Sequence, residues 1–304
     1  MPKISVLMNC YNGEKYLKEA IDSVFVQTFT DWEIVFIDNC SIDNSAKIAK
    51  NYGDKIKYYK TEENIPLGGA RNFGLNYCKG DYISFLDTDD IWLPEMLEEQ
   101  LKAIESNNYA LAYAGQVEIN INGDKIGEII PIFKEGYIFD RLLLQFDIPI
   151  VSTILRKSAL AKSKLNFDKN VSASEEYCLF LQLSIDNKFI VIPKALVKYR
   201  IHENALTNKT ISKWADERRY TLNKIIEENE GIEEKFNTQF KEAFARAAYY
   251  DAQYLASINE KFKAFKVLSK YAFLDKKYFI LSLILLFPSF VWKKIQQIKY
   301  GRKI

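Results

Sequence analysis

Strand and helix signals alternate through the first third of this chain, and that alternation leaves few ways to fold it. Residues 4–8 form a short apolar strand. The turn residues Asn9, Cys10, Tyr11, Asn12 and Gly13 follow, then a stripe of Leu17, Ala20, Ile21, Val24 and Phe25 at helical spacing. Residues 33–37 read as a second strand ending at Asp38, and Ser41 is placed to cap a helix carrying Ala46, Ile48 and Ala49. Residues 56–59 are a third strand. A loop with Pro66, Gly68 and Gly69 leads into a helix over 70–78, and residues 82–86 make the fourth strand. Neighbouring parallel strands need a crossover, usually a helix, so the pattern predicts an α/β fold whose mainly parallel sheet is covered on both faces.

Beyond Pro94 the expected elements are a helix, a hairpin over 116–129 turning at Asn122, Gly123 and Asp124, and a strand at 151–155. An amphipathic helix over 174–186 and two short extended pieces, 189–192 and 196–199, come next. From about Ile211 the strand signal vanishes. Trp214, Arg218, Leu222 and Ile225 share one helical face, and Phe240, Phe244, Ala247 and Tyr250 another. A boundary near Asn208 divides the chain into an α/β domain, 1–208, and a helical region, 209–304.

Composition excludes several classes. A net charge of +2 counts against a nucleic-acid binder. Cys10, Cys40, Cys78 and Cys178 are widely spread and form no Cys-x-x-Cys pair, which points to a reducing cytoplasm rather than a zinc or disulfide framework. The N-terminus carries no signal-peptide pattern, and no stretch approaches the roughly 20 apolar residues of a membrane span.

The residues suited to chemistry fall at strand ends and loops. Asp87, Asp89 and Asp90 crowd into four residues directly after the fourth strand. Like charges this close repel unless a cation lies between them, so the cluster is either a divalent-metal site or a solvated acidic turn before the next helix. In open α/β sheets ligands bind beyond the carboxyl ends of the strands, where this cluster falls. Asp38 is a ligand candidate or a turn residue. Arg71, near a helix start, is a phosphate contact or a surface ion pair. Glu175 and Glu176 open a helix, where carboxylates also complement the helix dipole. His202 is the only histidine, a ligand or a structural residue.

Taken in order, these segments resemble the family 2 glycosyltransferases. The resemblance runs through Tyr11-Asn12-Gly13-Glu14, Ala20-Ile21-Asp22-Ser23-Val24 and Gln27-Thr28, then Ile37-Asp38-Asn39-Cys40-Ser41. It continues through Ala70-Arg71-Asn72, Leu86-Asp87-Thr88-Asp89-Asp90, Glu175-Glu176 and Tyr199-Arg200-Ile201-His202. It covers about two thirds of the chain and leaves out the helical C-terminus. It implies a GT-A fold, a Rossmann-like mainly parallel sheet flanked by helices, here with a helical C-terminal extension. It also implies an enzyme that transfers a hexosyl or N-acetylhexosaminyl group from a nucleotide-sugar donor, a UDP-sugar, to a glycan or lipid-linked saccharide acceptor. The reaction would invert the anomeric centre, depend on Mn²⁺ or Mg²⁺, and serve surface polysaccharide or glycoconjugate assembly. By the same resemblance Asp38 accepts a hydrogen bond from the base, and Asp87 and Asp89 form the DxD pair. Asp89 is then the direct metal ligand, Asp87 lies nearer the ribose, and Asp90 supports them. Arg71 lies near the nucleotide, and Arg200 with His202 near the diphosphate or metal. Glu176 is the general base, with Glu175 the alternative.

The sequence departs from the family at Asn9-Cys10, at Asn39 for a frequent second Asp, and at Glu176 for the usual Asp. Two other readings compete. A sugar-1-phosphate nucleotidyltransferase would need a glycine-rich basic loop that the N-terminus lacks. A non-catalytic, membrane-associated binding subunit need not keep Asp38, Asp87, Asp89 and Glu176 together.

Residues 279–292 are strongly apolar, and Lys293, Lys294, Lys299, Arg302 and Lys303 follow with no acidic residue among them. The segment 279–304 is expected to lie in a membrane interface against anionic lipid, or else to pack as a buried helix or dimer contact broken at Pro288. The first alternative puts the enzyme at the inner face of the cell membrane as a cytoplasmic, peripheral protein. The sequence leaves the oligomeric state open.

Overall fold

The computed structural model describes residues 1–133, 135–203 and 205–287. The elements of the α/β part are β1 (Ile4–Cys10), α1 (Glu14–Phe25), β2 (Trp32–Asp38), α2 (Ser45–Lys50), β3 (Ile56–Lys60), α3 (Leu67–Leu75), β4 (Tyr82–Phe85), β5 (Ile91–Trp92) and α4 (Met96–Glu105). Then come β6 (Leu111–Ile119), β7 (Lys125–Ile129), β8 (Glu135–Gly136), α5 (Phe139–Leu144), β9 (Thr153–Arg156), α6 (Lys157–Ser163), α7 (Glu175–Leu183) and β10 (Phe189–Arg200). The helical part holds α8 (Leu206–Lys209), α9 (Ile211–Glu228), α10 (Ile232–Lys235), α11 (Asn237–Ser257), α12 (Lys261–Ser269) and α13 (Lys276–Ile284).

Two compact units result: residues 1–138 with 147–201, and residues 139–146 with His202 onward. In the first unit the strands line up as β3-β2-β1-β4-β9-β6-β10-β5, with β7 paired to β6 and β8 to β10. β3, β2, β1 and β4 run parallel, as do β6 and β10. β9 lies antiparallel between β4 and β6. Successive side chains of a strand point to opposite faces, so a strand buried at every residue is covered on both. β2 and β4 are buried throughout and β1 at all but Asn9. The crossover helices that cover them follow from the alternation seen in the sequence.

Several boundaries differ from expectation for identifiable reasons. Ser41 does not cap α2. Its hydroxyl accepts the Asn12 amide (3.0 Å), and Asp43 accepts the amide of Ser45, the first residue of α2 (2.9 Å). α3 begins at Leu67, so Gly68 lies in its first turn rather than in a loop. A Cβ on Gly68 would stand 3.3 Å from the Phe167 Cβ and 3.4 Å from that of Glu175, so this glycine serves close packing. The two extended pieces after 189 are one strand, β10, whose pairing with β6 shifts register around Pro193. Proline gives no ladder hydrogen bond, and a bulge absorbs it. α7 is not amphipathic, because seven of its residues from Tyr177 to Leu183 are buried along with Glu175.

In the second unit α9 and α11 pack together, with Trp214 edge-on to Tyr250 (5.6 Å) and Arg219 paired to Asp251 (2.8 Å). Phe139 of α5 meets Phe236 and Phe240. Ala245 and Ala252 on α11 and Ala264 on α12 are buried small residues that let the helices close around Leu268, Tyr278 and Leu285. Among the described residues no helix is long and apolar enough to cross a membrane. The expected kink at Pro288 and the basic residues after it lie outside the described residues.

Candidate active site

Adjacent parallel strands end together, so β1, β2 and β4 deliver Cys10, Asp38 and the Asp87–Asp90 loop to one edge of the sheet. The loops between them are knitted by side chains. Asn12, at a positive φ of 54°, accepts the Ile42 amide through Oδ1 (2.9 Å), and Asp43 accepts the Glu14 amide (3.0 Å). A Cβ on Gly13 would come within 2.8 Å of Thr88 Oγ1 and 3.0 Å of Cys10 Sγ, so the β1–α1 loop closes directly on the acidic loop.

Asp38 is fully buried. Its Oδ1 accepts the Ser41 amide (2.7 Å) and its Oδ2 accepts the Tyr58 hydroxyl, while burial and this carboxylate push the Tyr58 pKa up. The neighbouring Asn39 explains one departure from the family pattern. Its Nδ2 donates to the Ile65 carbonyl (2.7 Å), and its Oδ1 accepts the Ile65 amide (3.0 Å) and the Thr61 hydroxyl (3.1 Å). A carboxylate supplies no donor. Asn39→Asp is therefore expected to cost about 1–3 kcal/mol by stranding the Ile65 carbonyl, read as a lowered urea midpoint with unchanged slope; an unchanged midpoint would show that the loop tolerates the loss.

Two buried arginines hold the acidic loop. Arg71 donates through NH1 to Glu175 Oε1 (2.6 Å) and through NH2 to Asp87 Oδ1 (3.1 Å), with its guanidinium 5.6 Å from the Phe167 ring centre. Burial alone would lower the Arg71 pKa, but Asp87, Glu175 and Glu176 hold it up. The ion pair that the sequence placed at the surface is instead a buried bridge between α3, α7 and the acidic loop. Asn72, one residue on, pins the Phe167 backbone through both Nδ2 (2.8 Å) and Oδ1 (3.0 Å). From the other side Arg200 donates through Nε to the Asp89 carbonyl (3.0 Å), through NH1 to the Ile121 carbonyl (3.4 Å) and through NH2 to Glu19 (2.7 Å). It stacks 4.3 Å from the centre of the Tyr16 ring. The Arg200 amide donates to Asp90 Oδ1 (2.8 Å).

The carboxylates differ in environment. Burial pushes Asp87 above the usual carboxylate range; Arg71 opposes this, while Asp89 and Glu175 reinforce it. Asp90 is buried, and burial with the charges of Asp89 and Asp87 raises its pKa further. Its Oδ2 meets no donor among the described residues. On α7 Glu175 is buried against Arg71, whereas Glu176 is half-exposed. Of the residues singled out in the sequence, Asp38, Arg71, Asp87, Asp89, Asp90, Glu175, Glu176 and Arg200 belong to the first unit; His202 opens the second, its carbonyl accepting the Ala205 amide (3.2 Å). Among the described residues no three His, Cys, Asp or Glu side chains converge as a ready metal cage. The donor set at the loop is nonetheless all hard oxygen, as Mg²⁺ or Mn²⁺ requires, and the unpartnered Asp90 oxygen lies beside it. Sequence reading missed Tyr16, Glu19 and Tyr58, whose roles rest on contacts with residues distant in the chain.

Residues 5–162 match the family model described as Glycosyl transferase family 2. An uncharacterized glycosyltransferase of Methanocaldococcus jannaschii is 36% identical over 66% of this chain and 71% of its own. The Escherichia coli UDP-Glc:alpha-D-GlcNAc-diphosphoundecaprenol beta-1,3-glucosyltransferase WfgD is 31% identical over 67% of this chain and 79% of its own. Among solved structures, S. aureus TarS 1-349 in complex with UDP-GlcNAc superposes with a TM-score of 0.69 at 20% identity, over 92% of this chain and 83% of that one. The mannosyltransferase PcManGT of Pyrobaculum calidifontis, in complex with GDP-Man and Mn²⁺, gives 0.62 at 13% identity, over 99% and 88%. These likenesses bear out the sheet-and-helix architecture expected from the sequence.

Proposed function

The chain belongs to glycosyl transferase family 2 and is a glycosyltransferase of the GT-A fold, and from that premise we propose that it moves a hexosyl or N-acetylhexosaminyl group from a UDP-sugar to a lipid-linked saccharide during surface polysaccharide or glycoconjugate assembly. The observation that carries this reading is the convergence of Asp38 and the Asp87–Asp90 loop at the carboxyl ends of neighbouring parallel strands, where nucleotides bind in open α/β sheets. The choice of uridine over guanosine is supported by the UDP-Glc named for the E. coli relative and the UDP-GlcNAc bound to TarS, against the GDP-Man of the archaeal neighbour. The lipid-linked acceptor is supported by the diphosphoundecaprenol in the E. coli relative's name. The cytoplasmic, peripheral setting expected from the sequence goes with that acceptor.

In this mechanism Asp38 accepts from the base edge, using lone pairs left over from Ser41 and Tyr58; a carboxylate offers about four acceptor sites. Asp89, with Asp87 and Asp90, would hold Mn²⁺ or Mg²⁺, which supplies charge neutralisation for the departing diphosphate. Arg71 fixes Asp87 and Glu175 in one rigid piece, so α7 presents Glu176 at a set position. Glu176 takes the proton from the acceptor hydroxyl as its oxygen bonds to the anomeric carbon. The bond from that carbon to the diphosphate oxygen breaks, the electron pair leaves with UDP, and the anomeric centre inverts. Arg200, placed near the diphosphate, holds the loop through the Asp89 carbonyl and the Asp90 carboxylate.

The test is a transfer assay with UDP-glucose, UDP-galactose, UDP-GlcNAc, UDP-GalNAc and GDP-mannose on a polyprenyl-diphosphate-linked monosaccharide. Product from one UDP-sugar with an inverted linkage supports the reading. Product only from GDP-mannose removes the uridine assignment, and a retained linkage removes Glu176 as base.

A further inference from the structure

The sequence allows two fates for the apolar segment after residue 278, interfacial or buried, and the folded helix divides them between its two sides. Tyr278, Ser282 and Leu285 are buried, and Leu281 packs on the same core of Ala245, Ala252, Ala264 and Leu268. Phe279, Ile280 and Leu283 are 46, 54 and 39% exposed. At about 100° per residue they occupy a single outward arc. Phe287, just past the helix end, is 57% exposed, and Phe273, in the turn before it, 83%. A helix on a water-facing surface carries polar residues on its outward side; α13 carries large apolar ones.

Charge is unevenly distributed along the chain in a way its small total conceals. Residues 258–304 hold eleven Lys or Arg against two acidic residues, while residues 1–257 hold 31 against 38. Six of the eleven, Lys261, Lys263, Lys266, Lys270, Lys276 and Lys277, lie on α12, on α13 or in the turn joining them.

We propose that the outward face of α13, with the lysines of α12 and the turn, is a docking surface for an anionic lipid bilayer. Hydrocarbon receives Phe279, Ile280 and Leu283, and the lysines meet acidic headgroups. A nucleic acid would match the charge but leave the apolar arc in water. A second copy docked through a two-fold axis would set the same lysines against one another. The inference rests on the lipid-linked acceptor only for its purpose, so docking and transfer are measured separately.

The experiment is flotation of the full chain with vesicles of phosphatidylglycerol and phosphatidylcholine, and with phosphatidylcholine alone. Two variants accompany it: Ile280→Glu with Leu283→Glu, and Lys270→Glu with Lys276→Glu, all at exposed positions. Wild type is expected to float with the anionic vesicles and at least about 25-fold less with neutral ones. Lys270→Glu with Lys276→Glu is expected to lose about 25-fold or more in partition, since each lysine near such a surface contributes roughly fivefold, and Ile280→Glu with Leu283→Glu about tenfold through the lost apolar contact. Unfolding midpoint and UDP binding should stay at wild-type values, which separates failure of docking from failure of the catalytic reading. Wild type that ignores anionic vesicles, or variants that float as it does, would overturn the proposal. So would loss of flotation on deleting 288–304 while both variants still float, because docking would then belong to that segment. A dimer dissociated by Ile280→Glu with Leu283→Glu, without lipid binding, would give the face to a second copy instead.

Discussion

Glu176→Gln is expected to lower kcat by about 10²–10⁴-fold while leaving donor KM and the unfolding midpoint near wild type. Glu175 and Glu176 are neighbours at the start of α7, and sequence alone leaves the base open between them. Burial separates them. The Glu175 side chain is 4% exposed and its Oε1 accepts from the Arg71 guanidinium at 2.6 Å, so that oxygen is committed to an ion pair inside the protein. Glu176 is half-exposed and contributes to the field that holds Arg71 charged. An amide in place of the Glu176 carboxylate keeps the shape and loses the proton acceptor, so the chemical step suffers and binding does not. Glu175→Gln should show the opposite pattern, a lowered midpoint with a smaller loss of kcat. Equal losses of kcat in both variants, at unchanged midpoints, would move the base to Glu175.

Arg71→Ala carries the largest expected effect on stability, about 3–5 kcal/mol. The guanidinium is 3% exposed and answers two carboxylates, Asp87 and Glu175. Its removal leaves Glu175 buried without its cation and takes from Asp87 the charge that opposes the repulsion of Asp89. Against a total of roughly 5–15 kcal/mol for a folded domain, that loss is a large share. It should appear as a midpoint lowered by roughly 10 °C. Arg71→Lys should recover only part, because one ammonium does not span two carboxylates as a planar fork does. The double variant Arg71→Ala with Glu175→Gln should lose less than the two single losses combined, since the second change removes the charge stranded by the first. A midpoint unchanged in Arg71→Ala, with UDP affinity lost, would make Arg71 a nucleotide contact rather than the bridge between the loop and α7.

The strands around the site are legible in the sequence because β1, β2 and β4 are mostly apolar and are punctuated by Asn, Gly and Asp. The acidic loop is legible because charges that dense demand an explanation. What joins the site is not legible. Arg71 and Glu175 lie 104 residues apart, and Arg200 and Glu19 lie 181 apart; a salt bridge leaves no periodicity in the chain that forms it. Arg200 reads as a cation near the diphosphate, but nothing in the sequence announces that each of its side-chain nitrogens also finds a protein acceptor, one of them the Asp89 carbonyl of the acidic loop. α7 reads as amphipathic because Gln182 and Ser184 interrupt its apolar residues, but those side chains bond backwards, to the Cys178 and Leu181 carbonyls, and are buried with the rest. Gly68 reads as a loop residue, since close approach of two helices and a turn both call for the smallest side chain.

The central claim, that the Asp38 strand end and the Asp87–Asp90 loop form a metal-assisted nucleotide-diphosphate site, is tested most directly by thermal unfolding of wild type and Asp89→Ala with UDP, with and without Mn²⁺. A ligand at 100 times its Kd adds about 2.7 kcal/mol to the folded state. The account predicts a raised midpoint for wild type with UDP and Mn²⁺ together, a smaller rise with either alone, and no joint rise in Asp89→Ala. A midpoint that UDP leaves unmoved in wild type at every Mn²⁺ concentration, or a joint rise that survives Asp89→Ala, would contradict it.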